Sequence, residues 1–155
     1  VEFHQIRFIV GTGGDNLRAD STATADVFLK NSGVFTVTLK AKNAGSWDNG
    51  TIHGPIEFVI PGTVTLPTSA EALSGVRINL IQGGGFGETD DNWDISSLQV
   101  SLFNPGGQPL CQLNLVGSSQ LQDGSTGLVR LSGSAGSSGV GPSSPIYPTG
   151  PGSGC

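Results

Sequence analysis

Apolar side chains recur at every second position in short runs along this chain, and nowhere at the spacing of a helix. Eight such runs stand out, over residues 5–10, 24–30, 34–41, 55–60, 75–81, 97–103, 110–116 and 127–131. Successive side chains of a strand point to opposite faces, so period-two alternation marks a strand with one buried face. Ile6, Phe8 and Val10 share a face of the first run, Val27 and Leu29 of the second, Val76, Ile78 and Leu80 of the fifth, and Leu98, Val100 and Leu102 of the sixth. Arg7, Arg77, Asn79, Gln99 and Ser101 fall on the opposite faces, which suits antiparallel sheets wetted on one side. No segment holds a 3.6-residue period for three turns, and residues 69–74 give one short turn at most. Short strands at this spacing predict an all-β antiparallel sandwich or barrel.

The acids do not follow the strands. Asp15, Asp20, Asp48, Glu88, Asp90, Asp91, Asp94 and Asp123 are eight of the twelve acidic residues, and all lie in gaps after odd-numbered runs, at 11–23, 42–54, 82–96 and 117–126. The gaps after even-numbered runs, 31–33, 61–74 and 104–109, hold only Glu71. If the strands alternate in direction, the acid-bearing gaps gather at one end. Asp and Asn favour turns through side-chain to backbone hydrogen bonds, which accounts for acids in loops but not for their bias to alternate loops. A one-ended carboxylate cluster needs counter-charge, and a hard cation such as Ca2+ is the simplest source. Asp15, Asp20, Asp48, Asp90, Asp91 and Asp123 are the candidate ligands, with Asp15 and Asp90–Asp91 first.

Composition narrows the partners. The chain of 155 residues predicts one domain, residues 1–131, with a tail at 132–155. A net charge of −5 with no basic patch argues against nucleic acid, and no apolar stretch approaches the roughly 20 residues of a membrane span. The sequence begins at Val1 and contains no Met, as expected of a mature secreted protein whose signal has been removed. Asn49-Gly50-Thr51 is a glycosylation sequon in keeping with secretion.

From Ser132 onward the chain carries no charge, is dominated by Gly, Ser and Pro, and has Ile146 and Tyr147 as its only large side chains. Such composition ordinarily means disorder. A Cys111–Cys155 disulfide would tether it, closing a loop of about 45 residues worth roughly 4 kcal/mol in the chain-entropy model. The competing reading has Cys155 bonded to another molecule, or the tail docked on a neighbouring copy; the internal bridge and a monomer are favoured.

Gly75-Val76-Arg77-Ile78, a Gly-rich turn, and then Asp91-Asn92-Trp93-Asp94-Ile95-Ser96-Ser97-Leu98-Gln99-Val100 resemble the second half of the PLAT/LH2 domain. Thr12-Gly13-Gly14-Asp15 followed by Ala25-Asp26-Val27-Phe28-Leu29 is similar, more loosely, to its opening. The resemblance covers roughly residues 5–116 and implies an eight-stranded sandwich of two four-stranded sheets, Ca2+ bound by loops at one end, and membrane or protein contact. The chain is expected to be free-standing, with no enzyme attached, and its Gly/Ser/Pro tail departs from the family pattern. Membrane docking transfers least, since an acidic chain meets anionic lipid only through a bridging Ca2+.

Trp93 sits among the acids, as a plug of the sandwich end or a stacking platform for a sugar; Trp47, in Ser46-Trp47-Asp48-Asn49, admits the same two readings. With Asn49 these are the candidate ligand-binding residues. His4 and His53 are too few for zinc. No Gly-x-Ser-x-Gly elbow appears, adjacent Asp90 and Asp91 cannot flank a glycosidic bond, and no helix follows the glycines at 83–87 to bind phosphate. The expected function is therefore a secreted, non-catalytic, Ca2+-stabilised module contacting a carbohydrate, lipid head group or protein. An extracellular assembly protein and a host-directed effector or elicitor are the alternatives.

Overall fold

The computed structural model describes residues 1–29, 33–65, 73–83, 91–132, 140–143 and 147–148, the last two segments by their backbone. Every regular element among them is a strand. The principal strands are β1 (Glu2–Thr12), β2 (Thr22–Leu29), β3 (Gly33–Lys40), β4 (Ile52–Thr65), β5 (Leu73–Ile81), β6 (Asn92–Phe103) and β7 (Pro109–Val116). Short ones follow: β8 (Ser119–Gln120), β9 (Thr126–Gly127), β10 (Val129–Ser132), β11 (Val140–Ser143) and β12 (Tyr147–Pro148).

All pairings are antiparallel, and the principal strands form two sheets facing one another across a single core. In the first sheet β4, β1 and β6 lie side by side, and the free side of β6 is shared by β10 at residues 92–95 and β7 at residues 97–103. In the second, β3, β2 and β5 lie side by side, and the free side of β5 takes β11 and then β12. Each sheet is thus four lanes wide but five-stranded, because two short strands occupy one lane in turn. The Gly/Ser/Pro tail supplies the fourth lane of the second sheet through Val140 opposite Ile81 and Tyr147 opposite Val76.

Register follows the apolar alternation. Ile6 pairs with Leu102, Phe8 with Val100 and Val10 with Leu98; Ala25 pairs with Ile78 and Val27 with Val76, all fully buried. Removing each of the larger of these from water is worth roughly 1.5–3 kcal/mol. A one-residue slip would turn the whole set to solvent, so this alternation fixes the pairing. Phe35 closes one margin of the core between the sheets, edge-on to Phe3 at 6.0 Å between ring centroids.

Three boundaries depart from the alternation. β1 and β4 run longer than expected because bulges between Phe3 and Gln5 and between Phe8 and Val10 shift their mutual register. β6 begins at Asn92 rather than 97, since Trp93, Asp94 and Ile95 are buried in succession and no period-two signal survives there. The expected strand at 127–131 breaks at Leu128, whose N–H turns to Ile95 O at 2.8 Å, leaving β9 on β8 and β10 on β6. The outer faces are also drier than expected: Asn79 and Ser101 are buried, and Asn79 donates to Asp26 Oδ2 at 3.0 Å. The expected turn at 69–74 falls largely outside the described residues, and β5 has already begun at Leu73.

Candidate functional site

The acid-bearing loops do converge at one end. Leu17 in the β1–β2 loop forms a β-bridge with Trp47 in the β3–β4 loop, and Asn43 N–H reaches Ala19 O at 2.7 Å. Gly13 N–H donates to Asp94 O at 2.7 Å and Asp94 N–H to Asp15 O at 3.1 Å, stitching the first loop to the start of β6. The turn after β7 joins through Gly117 N–H to Ser96 O at 3.0 Å.

Asp15, Asp94 and Asp123 meet on one guanidinium. Arg130 of β10 places Nη1 2.9 Å from Asp94 Oδ1 and 2.8 Å from Asp123 Oδ2, and Nη2 3.0 Å from Asp15 Oδ2. Ser125 Oγ lies 2.7 Å from both Asp94 Oδ2 and Asp123 Oδ1, and Ser125 N–H donates to Asp123 Oδ1 at 3.0 Å. Burial of Asp94 pushes its carboxyl above the usual range, helped by its hydrogen bond with Asp123 and opposed by Ser125 and Arg130. The same hydrogen bond, with those from Ser125, holds Asp123 well below that range.

Asp91 belongs to a second cluster. Its Oδ2 accepts from Ser21 Oγ at 2.5 Å and from Arg18 N–H at 3.2 Å, while Oδ1 lies 3.2 Å from Arg18 Nε. Beside it the buried Lys40 ammonium donates to Ser21 O at 2.6 Å and Ala19 O at 2.9 Å. Desolvation lowers the Lys40 pKa, and the charges of Asp20 and Asp91 oppose the shift.

Ca2+ would have to compete for these carboxylates. That ion takes six to eight oxygens, yet both oxygens of Asp91, Asp94 and Asp123 are already engaged by Arg18, Ser21, Ser125 and Arg130. Asp48 is exposed and bonded to Ser46 Oγ at 2.8 Å, apart from the Arg130 group. Among the described residues no group of three or more His, Cys, Asp or Glu side chains is disposed to hold a metal ion. Asp90, and Glu88 with it, lies outside the described residues. Of the expected set, Asp15 and Asp123 lie on Arg130 and Asp91 on Arg18, and Asp94, an acid left out of it, is the most buried member of the larger cluster.

Neither indole offers an open ring face. Trp93 is fully buried with Nε1 donating to Thr12 Oγ1 at 3.1 Å, so it plugs the sandwich end. Trp47 is 7% exposed, edge-on to Trp93 at 5.8 Å and stacked on His53 at 4.5 Å with ring planes 7° apart. The stacking-platform reading fails for both. The Thr51–His53 contact of 2.9 Å is not an activated nucleophile: the single hydroxyl proton of Thr51 is directed to Asp48 O at 2.6 Å, so His53 Nε2 acts as donor.

An open polar depression of about 480 Å³ is lined by Asn16, Asp48 and Asn49. Asn49 is exposed and donates to Gly14 O at 3.1 Å, which ties the two rim loops together. Composition alone could not single out Asn16, whose part follows from the Leu17–Trp47 bridge that sets it beside Asp48. Cys111 is buried on β7 and is not a free thiol; its expected partner Cys155 lies outside the described residues.

No protein-family model matches the sequence, and no curated protein matches it. Among solved structures the chain is similar to a lipoxygenase variant in complex with arachidonate, at 18% identity and a TM-score of 0.42. The match covers 73% of this chain but 15% of that one.

Proposed function

We propose that this chain is a secreted, non-catalytic binding module of PLAT/LH2-like type that holds a neutral carbohydrate in the depression lined by Asn16, Asp48 and Asn49. The observation that carries the reading is the chemistry of that rim. Two side-chain amides and a carboxylate supply paired donors and acceptors for vicinal hydroxyls, on loops cross-braced by the Leu17–Trp47 bridge and the Asn49–Gly14 hydrogen bond. An acidic rim disfavours phosphate-bearing head groups, and neither Trp47 nor Trp93 opens a ring face to an apolar ligand. That bracing stiffens the rim, which lowers the ordering cost of binding.

The same residues bear on the sequon. A carbohydrate attached to Asn49 would sit over the depression, so modification and ligand capture exclude one another. A Cys111–Cys155 disulfide completes the proposal by holding the tail on its own domain.

A glycan array probed with unglycosylated protein, followed by calorimetric titration of its strongest neutral sugar, tests the reading. Replacing Asp48 by Ala removes one charged acceptor, and a loss of about 1.4 kcal/mol, tenfold in Kd, is expected. Equal affinity of the Asp48→Ala variant, or an array without neutral-sugar binding, would refute it.

A further inference from the structure

We infer that Arg130 is the resident counter-cation of the loop end, standing where a divalent ion would otherwise be needed, so that the order of this end is independent of Ca2+.

Asp15 comes from the β1–β2 loop, Asp94 from β6 and Asp123 from the turn between β8 and β9, and Arg130 touches all three between 2.8 and 3.0 Å. Asp94 is fully buried and the Arg130 side chain is 14% exposed. At such burial an uncompensated carboxylate costs several kcal/mol, and removing the single cation leaves three acids facing one another. A planar fork of five donors can serve several carboxylates at once, which a point-charge ammonium cannot reproduce with the same geometry.

Position in the fold explains why this residue can do it. β10 pairs with β6 so that Arg130 lies opposite Asp94 in the ladder. The Gly117 and Leu128 hydrogen bonds to Ser96 and Ile95 fix that short strand at the acid-bearing end. Lys40 acts in parallel on the neighbouring loop. Its ammonium takes the carbonyls of Ala19, Ser21 and Ala41, at 2.9, 2.6 and 3.4 Å, as a metal would take backbone oxygens. Carboxylates and carbonyls are the ligand types of a Ca2+ loop, and here both are occupied by side-chain cations.

The inference deepens the proposed binding role by making it indifferent to Ca2+. Its test reads stability, so it stands or falls apart from any sugar affinity. The full chain is melted by circular dichroism with millimolar Ca2+ and with chelator, beside Arg130→Gln and Arg130→Lys. The two wild-type melts should coincide. Arg130→Gln should lower Tm by on the order of 10 °C, with Arg130→Lys between it and wild type. A wild-type Tm that rises with Ca2+ and falls with chelator overturns the inference, as does an Arg130→Gln protein as stable as wild type. Should Arg130→Gln fail to fold, the wild-type pair of melts and the intermediate Arg130→Lys melt decide the matter.

Discussion

Replacing Asp94 by Asn separates the charge of this residue from its hydrogen bonds. Ser125 Oγ stands 2.7 Å from both Asp94 Oδ2 and Asp123 Oδ1, yet a hydroxyl has one proton to give. If it donates to Asp123, the contact with Asp94 requires a proton on the Asp94 carboxyl. Burial raises the Asp94 pKa in the same sense. An Asn side chain keeps Oδ1 for Arg130 Nη1 and puts an N–H where a proton on that carboxyl would lie. The variant should therefore cost no more than about 1 kcal/mol in acid, the net worth of one hydrogen bond. Asp94→Ala strips the acceptor from Arg130 and the partner from Ser125, and should cost about 3–5 kcal/mol.

The pH dependence has a definite sign. The folded protein holds the Asp94 proton more tightly than the unfolded chain does. That contribution is complete below the unfolded carboxyl pKa and is lost as pH rises through the raised folded value. Asp123, held low, works in the opposite sense: its contribution is present above the usual carboxyl pKa and is lost as pH falls. Asp15 and Arg130 complete the charged groups facing Asp94. Urea unfolding of wild type, Asp94→Asn and Asp94→Ala from about pH 4 to about pH 8, a window spanning the carboxyl range upward, reads the difference. Asp94→Asn should gain on wild type as pH rises. Parallel pH profiles for those two, or an Asn variant as unstable as the Ala variant in acid, would refute the reasoning.

Two further outcomes follow from the same end of the molecule and from the tail. A Cβ at Gly117 would stand 1.9 Å from Leu128 N and 2.1 Å from Gly127 C, both backbone atoms that cannot swing aside; Gly117→Ala should lose about 3 kcal/mol or more by chemical denaturation, beyond ordinary overpacking, and a loss under about 1 kcal/mol would contradict this packing. Thiol titration in denaturant should find no reactive thiol, with a monomer on non-reducing gels, if Cys111 and Cys155 are joined as proposed; two reactive thiols or a reducible dimer would exclude the bridge.

Much of the framework was legible because burial on one face leaves a periodic trace. The faces of Ile6, Phe8 and Val10, and of Val76, Ile78 and Leu80, could be assigned from alternation alone. The convergence of Asp15, Asp91, Asp94 and Asp123 followed from strand parity, a topological argument that needs no side-chain detail. Alternation fails where both faces are buried, and so the start of β6 at Trp93, Asp94 and Ile95 was missed.

The part played by Arg130 was missed for another reason. Counting acids by loop ignored the bases, although Arg130 lies within a few residues of Asp123, and a basic residue inside a mainly apolar final strand is the available signal. That Lys40 is buried has no sequence mark, since its carbonyl partners are set by the path of the β1–β2 loop. Trp47 is covered because its backbone pairs with Leu17, a contact across 30 residues that no local pattern reveals.

The binding role is tested most directly by recording side-chain and backbone amide NMR shifts of unglycosylated protein during titration with the neutral sugar that binds it best. Ligand entering the depression should move the side-chain amide signals of Asn16 and Asn49 and the backbone signal of Asp48, while amides at the far ends of β1 and β6 stay in place. Shifts confined to the opposite end of the sandwich, or none at saturating sugar, would contradict the account.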